Sequence, residues 1–175
     1  MGRSGEKLSR LVRVLLVLAI TATAAFAQLS WPEKQLSALH VSFPGIPKFS
    51  MGSQSTPVGA VTTESYEFKG EGFSVAANAA KLPSAVLTFR SAEALYRDAA
   101  KALLEENEGS KQFEMSKLIL FGLPAAELFF SNPTGEHGRA RFVLVDETLY
   151  TIEATWKTQE APPAISRFFA VATLR

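Results

Sequence analysis

Two histidines and a short run of charged residues hold most of the chemistry open to this chain. His137 directly follows Glu136, and Arg139 and Arg141 come just after it. A carboxylate beside an imidazole can orient it as a general base, and a loop can present both groups to a substrate. Adjacent loop residues commonly point apart, however, and no serine stands in a nucleophile elbow. The sequence therefore assigns no catalytic residue. His40 alternates with apolar residues and reads as an ordinary half-exposed strand residue. A two-histidine metal site would require His40 and His137 to meet, which no ligand spacing dictates, so no metal is expected. Gly70-Glu71-Gly72 lacks the third glycine and the following helix of a phosphate loop, and no cofactor is expected. What remains is binding. Arg139 and Arg141 share one strand face beside a polar loop and could hold an anion or an acidic partner. The competing reading makes them solvated charges guarding a sheet edge. His137, Arg139 and Arg141 are the candidate binding residues.

The elements that must position them follow from periodicity. Leu39, Val41 and Phe43 alternate with Ala38, His40 and Ser42, which predicts a half-buried strand over 36–43. Pro44-Gly45 suits a type II turn. Phe49 to Pro57 reads as loop. Val58 to Phe68 and Phe73 to Ala80 read as a hairpin around Lys69-Gly70-Glu71-Gly72. One long helix is predicted from Ala92 to Glu108, capped by Ser91 and stopped by Gly109. Its apolar face holds Ala92, Leu95, Tyr96, Ala99, Leu103 and Leu104, and Glu93 and Arg97 pair on the other side. Strands are predicted over 113–121, 125–131, 139–145 and 149–156, with a turn-rich loop over 132–138. Phe113, Phe121, Phe130, Phe142 and Phe168 read as core, while Phe129 falls on the opposite strand face from Phe130 and needs a cover of its own. Pro162-Pro163 opens a short last helix that buries Ile165, Phe168 and Phe169. Short connections demand antiparallel neighbours. The expected fold is α+β: an antiparallel sheet of about six or seven strands, packed by one long central helix and one short C-terminal helix.

The first 27 residues supply an address. Arg3, Lys7, Arg10 and Arg13 precede an uncharged run from Val14 that ends in Ala25-Phe26-Ala27. That is the pattern of a signal peptide cleaved after Ala27, and the run is short for a bilayer span. The expected organisation is a signal peptide over 1–27, a tether over 28–36 and a single domain over 37–175. Four of the 18 basic and one of the 17 acidic residues fall in the leader, so the remainder carries a formal charge of −2. A chain so near neutrality has no overall pull toward nucleic acid. Cysteine is absent, which excludes disulfides, a thiol nucleophile and a lipid-modified cysteine. The expected protein is soluble and periplasmic or secreted, without a permanent membrane anchor after cleavage.

The order of these motifs carries a resemblance. It runs Phe43-Pro44-Gly45-Ile46-Pro47, Thr56-Pro57-Val58-Gly59, an aromatic hairpin, a helix and Gly122-Leu123-Pro124. Then follow Gly138-Arg139-Ala140-Arg141, Leu149-Tyr150 and Arg167-Phe168-Phe169. Over most of residues 37–175 the chain resembles uncharacterised exported bacterial proteins with a PsbP-like α-β-α sandwich. The shared positions are turns and core residues, so the resemblance implies a fold and no catalytic residue. Related folds include an extrinsic photosystem subunit and a nuclear-transport factor, which act by docking to partners. The expected role is accordingly a non-enzymatic partner-binding or accessory domain for another envelope or secreted protein. The alternative is a carrier holding a small apolar ligand or lipid between helix and sheet, and a hydrolase ranks a distant third. A large apolar pocket would favour the carrier, and a flat exposed patch would favour docking.

Overall fold

The computed structural model describes residues 30–175, apart from Glu108 and the side chains of Gln112 and Phe113. The expected leader, its cleavage site and the start of the tether lie outside the described residues. So do the expected last helical residue Glu108 and the core assignment of Phe113.

In chain order the elements are β1 (Glu33–Leu36), β2 (Leu39–Ser42), β3 (Lys48–Thr56), β4 (Gly59–Gly70), β5 (Phe73–Lys81), α1 (Ser84–Phe89), α2 (Ala92–Glu106), β6 (Lys111–Leu120), β7 (Leu123–Ser131), β8 (His137–Val145), β9 (Thr148–Trp156), α3 (Pro163–Val171) and β10 (Thr173–Leu174). Tight turns between successive strands leave only antiparallel pairing possible. The result is a 7-stranded sheet of order β3-β4-β5-β9-β8-β7-β6 and a 3-stranded sheet of order β1-β2-β10. The turn between β6 and β7 puts Phe121 and Gly122 both in the left-handed region, at φ 56° and 79°.

The large sheet is covered on both faces because its strands alternate two apolar sets. On one face, Leu95, Tyr96, Ala100 and Leu103 of α2 pack onto Ala126, Leu128, Phe130, Ala140 and Phe142. Burying a side chain such as Leu128 fully is worth roughly 1.5–3 kcal/mol. The Tyr96 hydroxyl donates to the Pro124 carbonyl at 2.9 Å and accepts from the Leu144 N–H at 3.1 Å, which fixes α2 across β7 and β8. On the other face, the Phe43 ring meets Phe168 of α3 at 5.3 Å and Tyr66 of β4 at 6.1 Å. The Tyr150 hydroxyl there accepts from the Ala38 N–H at 3.2 Å, tying the small sheet to the large one. The fold is thus the expected α+β sandwich.

Several local expectations are corrected. Residues 36–43 form a hairpin and not one strand. Leu36 and Leu39 stand three apart yet are both buried, which a single strand cannot achieve at period two. Ser37 turns the chain at φ 52°, and Leu36 then pairs with Leu39. Residues 33–36, read as tether, form β1. Gly45 does not take the positive φ of a type II turn; its missing side chain leaves room for Phe68, whose ring would stand 2.4 Å from a Cβ there. Residues read as loop over 49–57 are mostly strand β3. It lacks alternation because it lies at the sheet edge with nearly all of its residues exposed. Helix α1 escaped notice for want of a fully buried side chain. In α2, Ala100 is buried where Ala99 was expected to be, and Glu93 pairs with Lys117 of β6 across the sheet edge.

Candidate functional site

The residues singled out by sequence sit on strand β8 and the turn before it. That turn closes on itself. The Asn132 side chain accepts from the Glu136 N–H at 2.8 Å and from the Thr134 hydroxyl at 2.7 Å. It also donates to the Glu136 carboxylate at 3.0 Å. The loop ends at Glu136, and His137 is the first residue of β8. Successive strand residues face opposite ways, so His137 and Glu136 part company. His137 faces α3, its ring 6.0 Å from that of Trp156, while Glu136 lies over the α2 face. His40 lies in the small sheet, where it bonds to Glu33 at 2.9 Å. Among the described residues no group of three or more His, Cys, Asp or Glu side chains could hold a metal ion.

Arg139 and Arg141 are neither edge charges nor free hands. Strand β8 lies inside the sheet, between β7 and β9. Arg141 stands directly across from Glu127 of β7, and Arg139 stands diagonally from it. Both guanidinium groups donate to one carboxylate oxygen, Glu127 Oε1, Arg139 through Nε at 2.8 Å and Arg141 through Nε at 2.6 Å. Phe169 of α3 caps the pair, 4.7 Å and 5.1 Å from the two guanidinium carbons, and Phe129 lies 5.3 Å from that of Arg139. The side chains of Arg139, Arg141 and Glu127 are only 22%, 18% and 14% exposed. This is a closed ion triad that holds α3 to the sheet by cation–π contact and charge-assisted bonds. Phe129 finds the cover it needed there.

Two concavities lie on the α2 face, one at each end of the helix. At the N-terminal end is an apolar cleft of about 640 Å³ between α2, the edge strand β6 and its neighbour β7. Tyr96, Met115, Pro124 and Ala126 line it, and Glu93, Arg97 and Lys117 supply charge at its rim. Lys117 holds Glu93 below the ordinary carboxylate range through a hydrogen bond and its charge. Ile119, beside the cleft, is 69% exposed.

At the C-terminal end of α2 is a polar pocket of about 460 Å³ above β4, β5 and β9. Its floor is made of small side chains. Ala76 separates Glu67 from Glu153 in the register, and Ser74 and Thr155 share a hydrogen bond at 2.9 Å. Phe130 forms one wall. Its ring lies across Gly138, where a Cβ would stand 2.1 Å from the ring. Glu153 lines this pocket, and its Oε2 is shut from solvent with no hydrogen-bond partner. Asn78 bonds to the same carboxyl group, and the Ser65 hydroxyl donates to Asn78 Oδ1, which leaves the amide N–H₂ for Glu153. Burial, with the charges of Glu106 and Glu67, pushes Glu153 up to about 7. No motif announced this group. Its signal in the sequence was only a glutamate at an inward strand position, flanked by Ile152 and Ala154.

The layers, strand order and helix placement define a class, a PsbP-like α+β sandwich. Cyanobacterial PsbP (CyanoP) from Synechocystis sp. PCC 6803 shares it at a TM-score of 0.52 and 11% identity, over 83% of this chain and 93% of that one. A Pseudomonas aeruginosa protein of unknown function aligns at a TM-score of 0.36 and 12% identity, over 79% of this chain and 87% of that one. No protein-family model and no curated protein matches the sequence. At such identities the likeness is one of fold.

Proposed function

We propose that this chain is an exported, non-enzymatic binding domain, and that its ligand is a small apolar or amphiphilic molecule held between α2 and β6–β7. The apolar cleft carries this reading. Its volume falls within the range of small-molecule sites, its lining is apolar, and its few charged groups gather at the rim. The candidate catalytic pair supports no competing chemistry, since Glu136 turns from His137 toward Asn132. Among the described residues no helix is long and apolar enough to cross a membrane.

A second reading keeps the partner-docking role, favoured by one observation. Strand β3 lies at the sheet edge, carries no charge from Phe49 to Thr56, and exposes Phe49 and Met51. An extended, uncharged segment of another envelope protein could add to that edge through backbone hydrogen bonds.

A dansyl-labelled fatty acid titrated into the purified protein tests the first reading. Saturable fluorescence enhancement, weakened several-fold by Ile119→Glu at the exposed rim, supports it. No saturable enhancement, or equal enhancement by the variant, overturns it. Ser53→Lys on β3 should leave that binding intact. If Ser53→Lys instead abolishes capture of a defined envelope partner, the edge strand is the working surface.

A further inference from the structure

We infer that the pocket at the C-terminal end of α2 is a binding site for a primary ammonium group, with Glu153 as its anchoring acceptor. The geometry supplies a reason for each part. A carboxylate oxygen shut from water and left without a partner costs free energy, and a hydrogen-bond donor entering the pocket removes that cost. The surroundings select a cation. Glu67, Glu106 and Glu136 line the same space, against Lys69 and Lys157. Lys69 is already engaged with Glu67 at 3.0 Å. The pocket also lies at the C-terminus of α2, the negative end of the helix dipole, and no basic residue stands in the last turn.

The type of cation follows from the acceptor. A guanidinium fork gains most when both oxygens of a carboxylate are open to it. Here Asn78 favours the charged form of Glu153, and Oε2 is the enclosed oxygen without a partner. A single acceptor suits the point charge of an ammonium group. Ser74 and Thr155 offer hydroxyl oxygens on the same floor. The volume of about 460 Å³ accepts a short aliphatic chain behind the charge, lying against Phe130. Metal chelation does not fit, since the described carboxylates do not converge into a ligand set.

Binding an ammonium ion requires ionised Glu153, so affinity should rise with pH through the range where this group titrates. The charged groups that face it across the pocket are Glu67, Glu106, Glu136, Lys69 and Lys157.

The test is a two-dimensional NMR titration of the isotope-labelled protein with 1,4-diaminobutane at pH 8, beside 1,4-butanediol as the neutral match. Saturable shifts confined to the amides around Asn78, Asn107, Glu153 and Thr155, caused by the diamine and not the diol, are expected. Affinity should fall about tenfold or more in Glu153→Gln, and about tenfold or more in the wild type at pH 5.5. Glu106→Gln, changed at the pocket rim, should weaken binding by a smaller factor and guards against a folding defect in the first variant. Absence of saturable shifts, equal binding of the diol, or unchanged affinity in Glu153→Gln overturns the inference. Calcium binding at these residues in preference to the diamine overturns it as well.

Discussion

Two half-buried glutamates on opposite faces of the sheet have opposite fates. Glu127, under α3, meets two guanidinium groups, because β8 places Arg141 across from it and Arg139 one pleat away. Glu153, under α2, has only Ala76 and Ala140 beside it in the register. Its help is one neutral amide. The first carboxylate is compensated inside the fold and locks two layers together. The second gains, among the described residues, no more than that amide, and its unpartnered Oε2 is what makes its pocket a candidate for an external charge.

Removing the cations from the first site should have the largest effect. The double variant Arg139→Ala, Arg141→Ala would leave Glu127 without a partner and strip the cover from Phe169. Its expected cost is about 3–5 kcal/mol in denaturant titrations. The same variant would have been harmless had these arginines been solvated edge charges, so a loss below about 0.5 kcal/mol would remove the contrast between the two glutamates.

Glu153→Gln should act in the other direction and depend on pH. Its pKa rises from 4.5 to about 7 on folding, so the folded state favours the protonated form. The cost of ionisation is absent below pH 4.5, sets in as pH rises toward 7 and is complete above it. A rise of this size corresponds to roughly 3 kcal/mol at most. The variant should therefore match the wild type near pH 4 and be more stable than it at pH 8. Thermal melts across that range check both ends. Equal stability at pH 8 would mean the carboxyl is better solvated than its enclosure implies.

The smallest effect sharpens the second site. Asn78→Ala removes the hydrogen bond that favours the charged carboxylate. Carbon-detected NMR should then show Glu153 titrating higher, by less than about one pH unit. A shift downward would assign Asn78 the opposite role.

The two sites were unequally legible. Alternation exposed β8 and β9 plainly, and Ala140 and Phe142 declared one face. The same alternation put Arg139 and Arg141 on the other face, but it could not say that a helix lay over them. That depended on α3 arriving from residues 163–171 and on Glu127 arriving from β7. The charge of the arginines made them look solvated, and a long-range partner made them internal. Glu153 was harder still, since its isolation depends on which strand neighbours β9. Strand order across the sheet has no local signature. Strand β3 was missed because an edge strand exposed on both sides has no inward set to produce a period.

That strand order has a kinetic meaning. Residues 48–81 form one local meander and residues 111–156 another, each built from hairpins that close over short turns. They join along one seam, where β5 pairs with β9 and Phe73 meets Trp156. Pairing across so long a stretch of chain must meet its loop-closure entropy before the contacts return it. The two meanders are thus the natural early units, and seam closure is the step that should set the refolding rate. Asn78 stands on one side of that seam and Glu153 on the other, so the polar pocket exists only after the last long-range pairing is complete.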